Sequence, residues 1–239
     1  EQLTEIRATY LAMVSRFDYH FGVLRQKLID TGFYDNSSVF VFSDHGDYTT
    51  DYGVAEKAQN LFDNPVCNVP LLVKPAKRFE VKPGRSDALV ELVDLSATLA
   101  DMAGFELSYT QFGKSLRNAI AGDPIHKDTV ICEGGRIHGE KQAMELGHNE
   151  ASPYWPRLST QYSEGPEHTK AVMIRMENFK YTYRLYETDE FYDLDHDPLE
   201  LHNAIDDPKY APTIQRMKER LLQRLVETGD YVPNRRDKR

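Results

Sequence analysis

Apolar side chains recur every three or four positions near the start of the chain, at Leu3, Ile6, Tyr10, Met13, Phe17, Phe21, Leu24 and Leu28. That spacing predicts one long amphipathic helix over Leu3–Ile29, with Gly32 where a left-handed C-terminal cap belongs. The pattern then changes. Val39-Phe40-Val41-Phe42 is an unbroken apolar run, which predicts a strand buried on both faces of a sheet. Helix followed by strand predicts half of a βαβ unit. Val69–Val73 and Ala88–Val93 predict two further short strands. The second leads into a helix over Ala97–Ala103, capped by Asp94 or Ser96 and stopped by Gly104.

Beyond Gly104 the texture is different. Thr129–Glu133 predicts a strand, and residues 134–169, rich in Gly, Pro, His and aromatics, predict mostly loop. Ala171–Met176 and Lys180–Tyr186 flank Glu177-Asn178 as a hairpin. Asp189–Asn203 is turn-rich. Pro208–Thr228 carries Tyr210, Ile214, Met217, Leu221 and Leu225 on one helical face. The expected organisation is a strand-helix block over residues 1–105, then an antiparallel block over 106–239 closed by a helix. The fold class is α/β with a small antiparallel α+β subdomain.

Bulk properties narrow the possibilities. With 239 residues, 40% hydrophobic and 28% charged, the chain can bury the core of one or two domains. A net charge of −9 argues against nucleic acid as a partner. No window of 18 apolar residues is present, so no transmembrane helix is expected. Cys67 and Cys132 cannot build a disulfide framework and are expected as buried thiols. The chain opens inside a helical pattern without an initiator methionine, so a preceding part of the natural product is expected.

Candidate chemistry concentrates after the first strand, in SSVFVFSDHGDYTTDYGVAEK, Ser37 to Lys57. A carboxylate and an imidazole, Asp44 and His45, stand together where the apolar run stops, before a glycine turn. In open α/β sheets ligands gather beyond the carboxyl ends of strands. A strand ending in a polar turn is the alternative reading of the same residues. The wider pattern resembles the metal-binding strand and loop of the sulfatase family, within the alkaline-phosphatase-like superfamily. Asp44, His45, Gly46, Asp47, Asp51, Gly53 and Lys57 fall in register with it. Tyr52 stands where many members have histidine, Thr50 where glycine is usual, and Glu56 where glycine is frequent. VELVDLSATLADMAGFE resembles the family's following segment, with Ala97 in place of a proline. Phe191, Tyr192, Asp193, Leu194, Asp197, Pro198, Glu200 and Asn203 match a phrase near the family's C-terminal end.

The resemblance implies that Asp44 and His45 are ligands of a divalent metal, calcium first, with manganese, magnesium or zinc as alternatives. It implies that Lys57 is the catalytic cation that binds the oxyanion of a sulfate-ester substrate. It also implies two further aspartate ligands and a formylglycine nucleophile in an N-terminal half lying before Glu1. Cys132-Glu133-Gly134-Gly135-Arg136 has the cysteine-arginine spacing of a formylglycine motif, but glycines replace its proline and serine, so a strand end and turn is expected there. Gly113-Lys114-Ser115 is no phosphate loop, because residue 108 is serine. The implied function is sulfate-ester hydrolysis by the complete protein. The alternatives are a phosphonate monoester or phosphodiester hydrolase of the same superfamily, or a non-catalytic sulfatase-like module.

Overall fold

The computed structural model describes residues 1–58, 60–137, 149–162, 165–166 and 169–230. Contacts group the chain into two units that interleave in sequence. One comprises residues 1–79, 133–172 and 184–188, the other residues 80–132, 173–183 and 189–239.

In the first unit, helix α1 (Gln2–Asp30) forms as its periodicity predicts, yet none of its residues is buried. Leu11, Met13, Val14, Phe17, Tyr19 and Val23 are each at least half exposed. Nearer its C-terminus, Phe21, Leu24 and Leu28 line an apolar groove together with Val39, Val41 and Leu72. Strand β1 (Val39–Phe42) stops where expected, but it is not buried on both faces; Phe42 is 51% exposed. Its ladder partner is β2 (Leu71–Lys74), which runs antiparallel, with Val39 opposite Lys74 and Phe42 opposite Leu71. The described residues between the strands hold only one α-helix, the four-residue α2 (Asn64–Cys67), and a parallel crossover needs a longer element. Pro70, which lacks a donor, lies just outside β2.

In the second unit, residues 88–92 form no strand; the chain runs into helix α3 (Val93–Ala103), which starts four residues before its predicted first turn. Asp94 explains the early start. Its carboxylate accepts hydrogen bonds from the Glu91 and Lys114 amides, at 2.9 and 2.8 Å, so the local backbone donors are satisfied without a ladder. The same fully buried carboxylate meets Lys127 Nζ at 2.6 Å and His126 Nε2 at 3.1 Å. Gly104, at φ 76°, ends α3 as predicted, its amide donating to the Ala100 carbonyl. The four-residue helix α4 (Arg117–Ile120) follows.

A four-stranded sheet has the order β3 (Thr129–Gly134), β4 (Ala171–Met176), β5 (Phe179–Arg184), β6 (Glu190–Asp193). Two residues join β4 to β5, the hairpin connection expected from the sequence. β6 pairs antiparallel with β5, Phe179 opposite Asp193. The turn-rich reading of 189–203 missed β6, in which the alternate residues Phe191 and Asp193 are buried. Helix α6 (Ala211–Thr228) buries Ile214, Met217 and Leu221. Phe179, Phe191 and Tyr210 cluster at ring-centroid distances of 5.0–6.4 Å.

Each polar group matched near the C-terminal end has a structural partner. Asp193 accepts from Tyr210 Oη and bonds His196 Nδ1, both at 2.9 Å. Asp197 accepts from the Leu201 and His202 amides. Asn203 bonds the Phe191 and Ile205 amides and the Asp189 carbonyl. Glu200 forms an almost wholly buried ion pair with Lys180.

Candidate functional site

The site residues lie where β1 gives way to its loop, and local hydrogen bonds set their geometry. Ser43 Oγ donates to the His45 carbonyl at 2.6 Å. The His45 amide donates to Asp44 Oδ1 at 3.0 Å, which, with the adjacent imidazole, holds the Asp44 carboxyl below the usual carboxylate range. His45 Nδ1 lies 2.8 Å from the Gly46 carbonyl. A neutral imidazole with its proton on Nδ1 donates there, which leaves the Nε2 lone pair open. Nε2 and Asp44 Oδ2 then face each other at 3.7 Å, and both side chains are accessible, Asp44 being 84% exposed and His45 45%.

This geometry fits a shared cation. Two donors at about 2.0–2.6 Å from one divalent ion can lie this far apart. Nδ1–H bonding to a carbonyl is the support that metal-ligating histidines use. The pair is two ligands and no more: among the described residues no group of three or more His, Cys, Asp or Glu gathers as a metal site.

The loop beyond is tightly determined. The Gly46 amide donates to the Val66 carbonyl at 2.8 Å, drawing residue 46 so close to Pro65 that a Cβ has no room. Thr49, Thr50 and Tyr52 all adopt positive φ, 47°, 79° and 54°, rare for β-branched and bulky residues. Such strain persists only where surrounding bonds over-determine it. Those bonds are present. Tyr48 is buried and donates to Asp63, its ring meeting Tyr52 edge-on at 5.7 Å. Arg7 holds the Thr49 carbonyl at 3.1 Å and pairs with Asp51. Thr50 thus occupies a backbone position that glycine adopts without strain.

Lys57 lies at the end of this loop. Its ammonium pairs with Glu56 Oε2 at 3.2 Å, and the side chain is 43% exposed. Glu56 Oε1 meanwhile accepts Arg157 Nη2 at 2.6 Å. Asp47 is in the same electrostatic neighbourhood. Burial raises its carboxyl pKa, the Thr49 amide opposes that, and Glu56 raises while Lys57 lowers it. Asp47 Oδ1 is buried without a hydrogen-bond partner among the described residues. The structure therefore brings Asp44 to His45 directly, and links Lys57 to the loop through Glu56 and Asp47.

Arg157 was not anticipated. It sits on helix α5 (Trp155–Tyr162), inside the stretch read as mostly loop. Pro156 near the helix start and Trp155 with Leu158 three residues on were the available signals. Tyr154 and Trp155 of that stretch lie at the start of α5, while His138, His148 and His168 lie outside the described residues. Cys132 is within β3, followed by Gly135 at φ 78°. Both cysteines are part-exposed rather than buried.

Residues 1–105 match the family model described as Sulfatase. That segment is similar to the sulfatase family, over less than half of the chain. The match includes Asp44, His45, Glu56 and Lys57 and ends before Arg157. Beyond it, similarity to sulfatase-family and related proteins extends over most of the chain. Over 230 residues it is 25% identical to the multifunctional alkaline phosphatase superfamily protein PehA of Trinickia caryophylli, covering 96% of this chain and 42% of that protein. Over 209 residues it is 27% identical to choline-sulfatase of Rhizobium meliloti, covering 87% and 35%. The fold is alkaline-phosphatase-like. Phosphonate monoester hydrolase of Agrobacterium radiobacter superposes with a TM-score of 0.73 at 22% identity, over 98% of this chain and 46% of that one. The chain spans less than half the length of these relatives. Among the described residues no helix is long and apolar enough to cross a membrane.

Proposed function

We propose that this chain contributes the metal-holding edge and the oxyanion-binding lysine of a sulfuric ester hydrolase. The observation that carries the reading is the convergence of Asp44 Oδ2 and His45 Nε2 at the end of β1, within the sulfatase-family segment. These two atoms hold a divalent cation, calcium first, with manganese, magnesium or zinc as alternatives; bound, it polarises the ester oxygens it touches. Lys57 binds the non-bridging oxygens of the sulfate group. Its ammonium has three donors, and one engaged by Glu56 leaves two for substrate.

The remaining ligands and a formylglycine nucleophile belong to an N-terminal part of the protein. Two observations support such a partner: the relatives are more than twice this chain's length, and α1 presents an uncovered apolar stripe.

The test is to assay the full-length gene product on an aryl sulfate with metal added, beside Lys57→Ala. A preorganised charge of this kind contributes on the order of 3 kcal/mol to the barrier, so the variant should lose about a hundredfold or more in kcat. Absence of turnover, with Lys57→Ala behaving as wild type on every ester tried, would sink the reading.

A second reading, hydrolysis of phosphonate monoesters or phosphodiesters, draws on the similarity to PehA over nearly the whole chain. Relative kcat/KM on matched sulfate, phosphonate and phosphate esters separates the two.

A further inference from the structure

Glu56 divides its two oxygens between two cations. Oε2 accepts from Lys57 at 3.2 Å and Oε1 from Arg157 at 2.6 Å. The exposures are graded: Arg157 is 5% exposed, Glu56 21% and Lys57 43%. The chain of charges runs from interior to surface and ends in the ammonium. A carboxylate beside an oxyanion-binding lysine should cancel the charge that binds substrate. With Arg157 on its other oxygen, Arg157, Glu56 and Lys57 sum to one positive charge, which the neighbouring Asp47 carboxyl also faces, and Glu56 is fixed in orientation by a buried guanidinium.

We propose that Arg157 and Glu56 form a positioning pair: Glu56 aims the Lys57 ammonium, and Arg157 neutralises Glu56 so that Lys57 keeps its charge for the oxyanion. The proposal rests on the role given to Lys57 above. It makes Arg157, 101 residues away in sequence, a determinant of anion binding although it touches no substrate.

Two experiments test it separately from that role. In this chain, Lys57 is acylated by a limiting N-hydroxysuccinimide ester at fixed pH and read by peptide mass spectrometry. Lys77, 81% exposed, is the internal standard. Glu56→Gln removes the anion and should speed Lys57 modification relative to Lys77 by about threefold or more, the scale of a part-exposed ion pair. Arg157→Gln leaves the whole Glu56 charge on Lys57 and should slow it by about twofold or more. Arg157→Lys, which keeps the charge, should stay nearer wild type. A purely structural pair would loosen the loop and speed modification in both Gln variants; that outcome, or no change in either, overturns the proposal.

In the full-length gene product, Arg157→Gln should lower kcat with little change in KM, and should add no further loss in a Lys57→Ala background. Additive losses there also overturn it. If the labelling shifts appear as stated but Lys57→Ala leaves kcat intact, the pair stands and the role of Lys57 in hydrolysis fails.

Discussion

Replacing Gly46 with alanine tests whether the site is built as described. An added Cβ would lie 1.9 Å from the Pro65 carbonyl oxygen, 2.9 Å from its carbon and 3.2 Å from Val66 Cα. Real Cβ atoms essentially never come within 3.0 Å, so residue 46 and the Pro65–Val66 backbone must separate by at least about 1 Å. The obstacle is main chain, and no rotamer relieves it. Val66 is held by its own amide on the Asp63 carbonyl at 2.9 Å, so the weakest link is the 2.8 Å bond from the Gly46 amide to Val66. Opening it costs about 1 kcal/mol, and the strain that remains adds about 1–3 kcal/mol. The expected loss is therefore about 2–4 kcal/mol in urea denaturation. The displacement has a second consequence. The Gly46 carbonyl orients His45 through Nδ1, so the paired donors of Asp44 and His45 should move apart. Calorimetric titration of the full-length protein with manganese should show affinity falling about tenfold or more, the effect of disturbing a ligand's supporting bond. A variant within about 0.5 kcal/mol of wild type, with unchanged metal affinity, would refute both the close approach and its link to the imidazole.

Three further outcomes follow from other parts of the molecule. Glu200→Gln should cost about 3–5 kcal/mol by taking the carboxylate charge from the buried Lys180 ammonium; urea denaturation should show the double variant Lys180→Met with Glu200→Leu recovering most of that loss. Burial pushes the Asp94 carboxyl up, but the Lys127 ammonium and the Lys114 and Glu91 amides outweigh it, so its folded pKa is depressed. Its stabilisation is complete above the unfolded value of about 3.9 and lost as pH falls through the folded one; the stability gap between wild type and Asp94→Asn should therefore narrow in acid, measured by urea midpoints at successive pH values. Thr50→Gly should leave the urea midpoint unchanged or raised, because relief of a left-handed threonine at φ 79°, about 1–2 kcal/mol, offsets glycine's extra unfolded-state entropy of about 0.4–1 kcal/mol.

What the sequence could reveal follows the range of the interactions. Ser43, Asp44, His45 and Gly46 organise one another within three residues, so their arrangement was legible as a string. α1, the β4–β5 hairpin and α6 were legible for the same reason: each is written in a local period. The direction of β2 against β1 was not, because the strands are joined by 28 residues whose path no periodicity records. The Glu56–Arg157 pair lies beyond any local signal. β6 was hidden by composition, since acidic residues that read as turn formers are paired once β5 lies beside them. Residues 88–92 erred the other way: an apolar run looked like a strand, and a buried carboxylate at Asp94 turned the chain into a helix instead.

The bare stripe of α1 bears on how this chain behaves in the test tube. Twenty-nine helical residues make a rod about 43 Å long, oily along one side, beside a two-stranded ribbon whose outer edges carry unpaired main-chain groups among the described residues. Produced by itself, the polypeptide should bind dyes such as anilinonaphthalene sulfonate and self-associate as its concentration rises, and dilution or a chain that shields the stripe should reverse both.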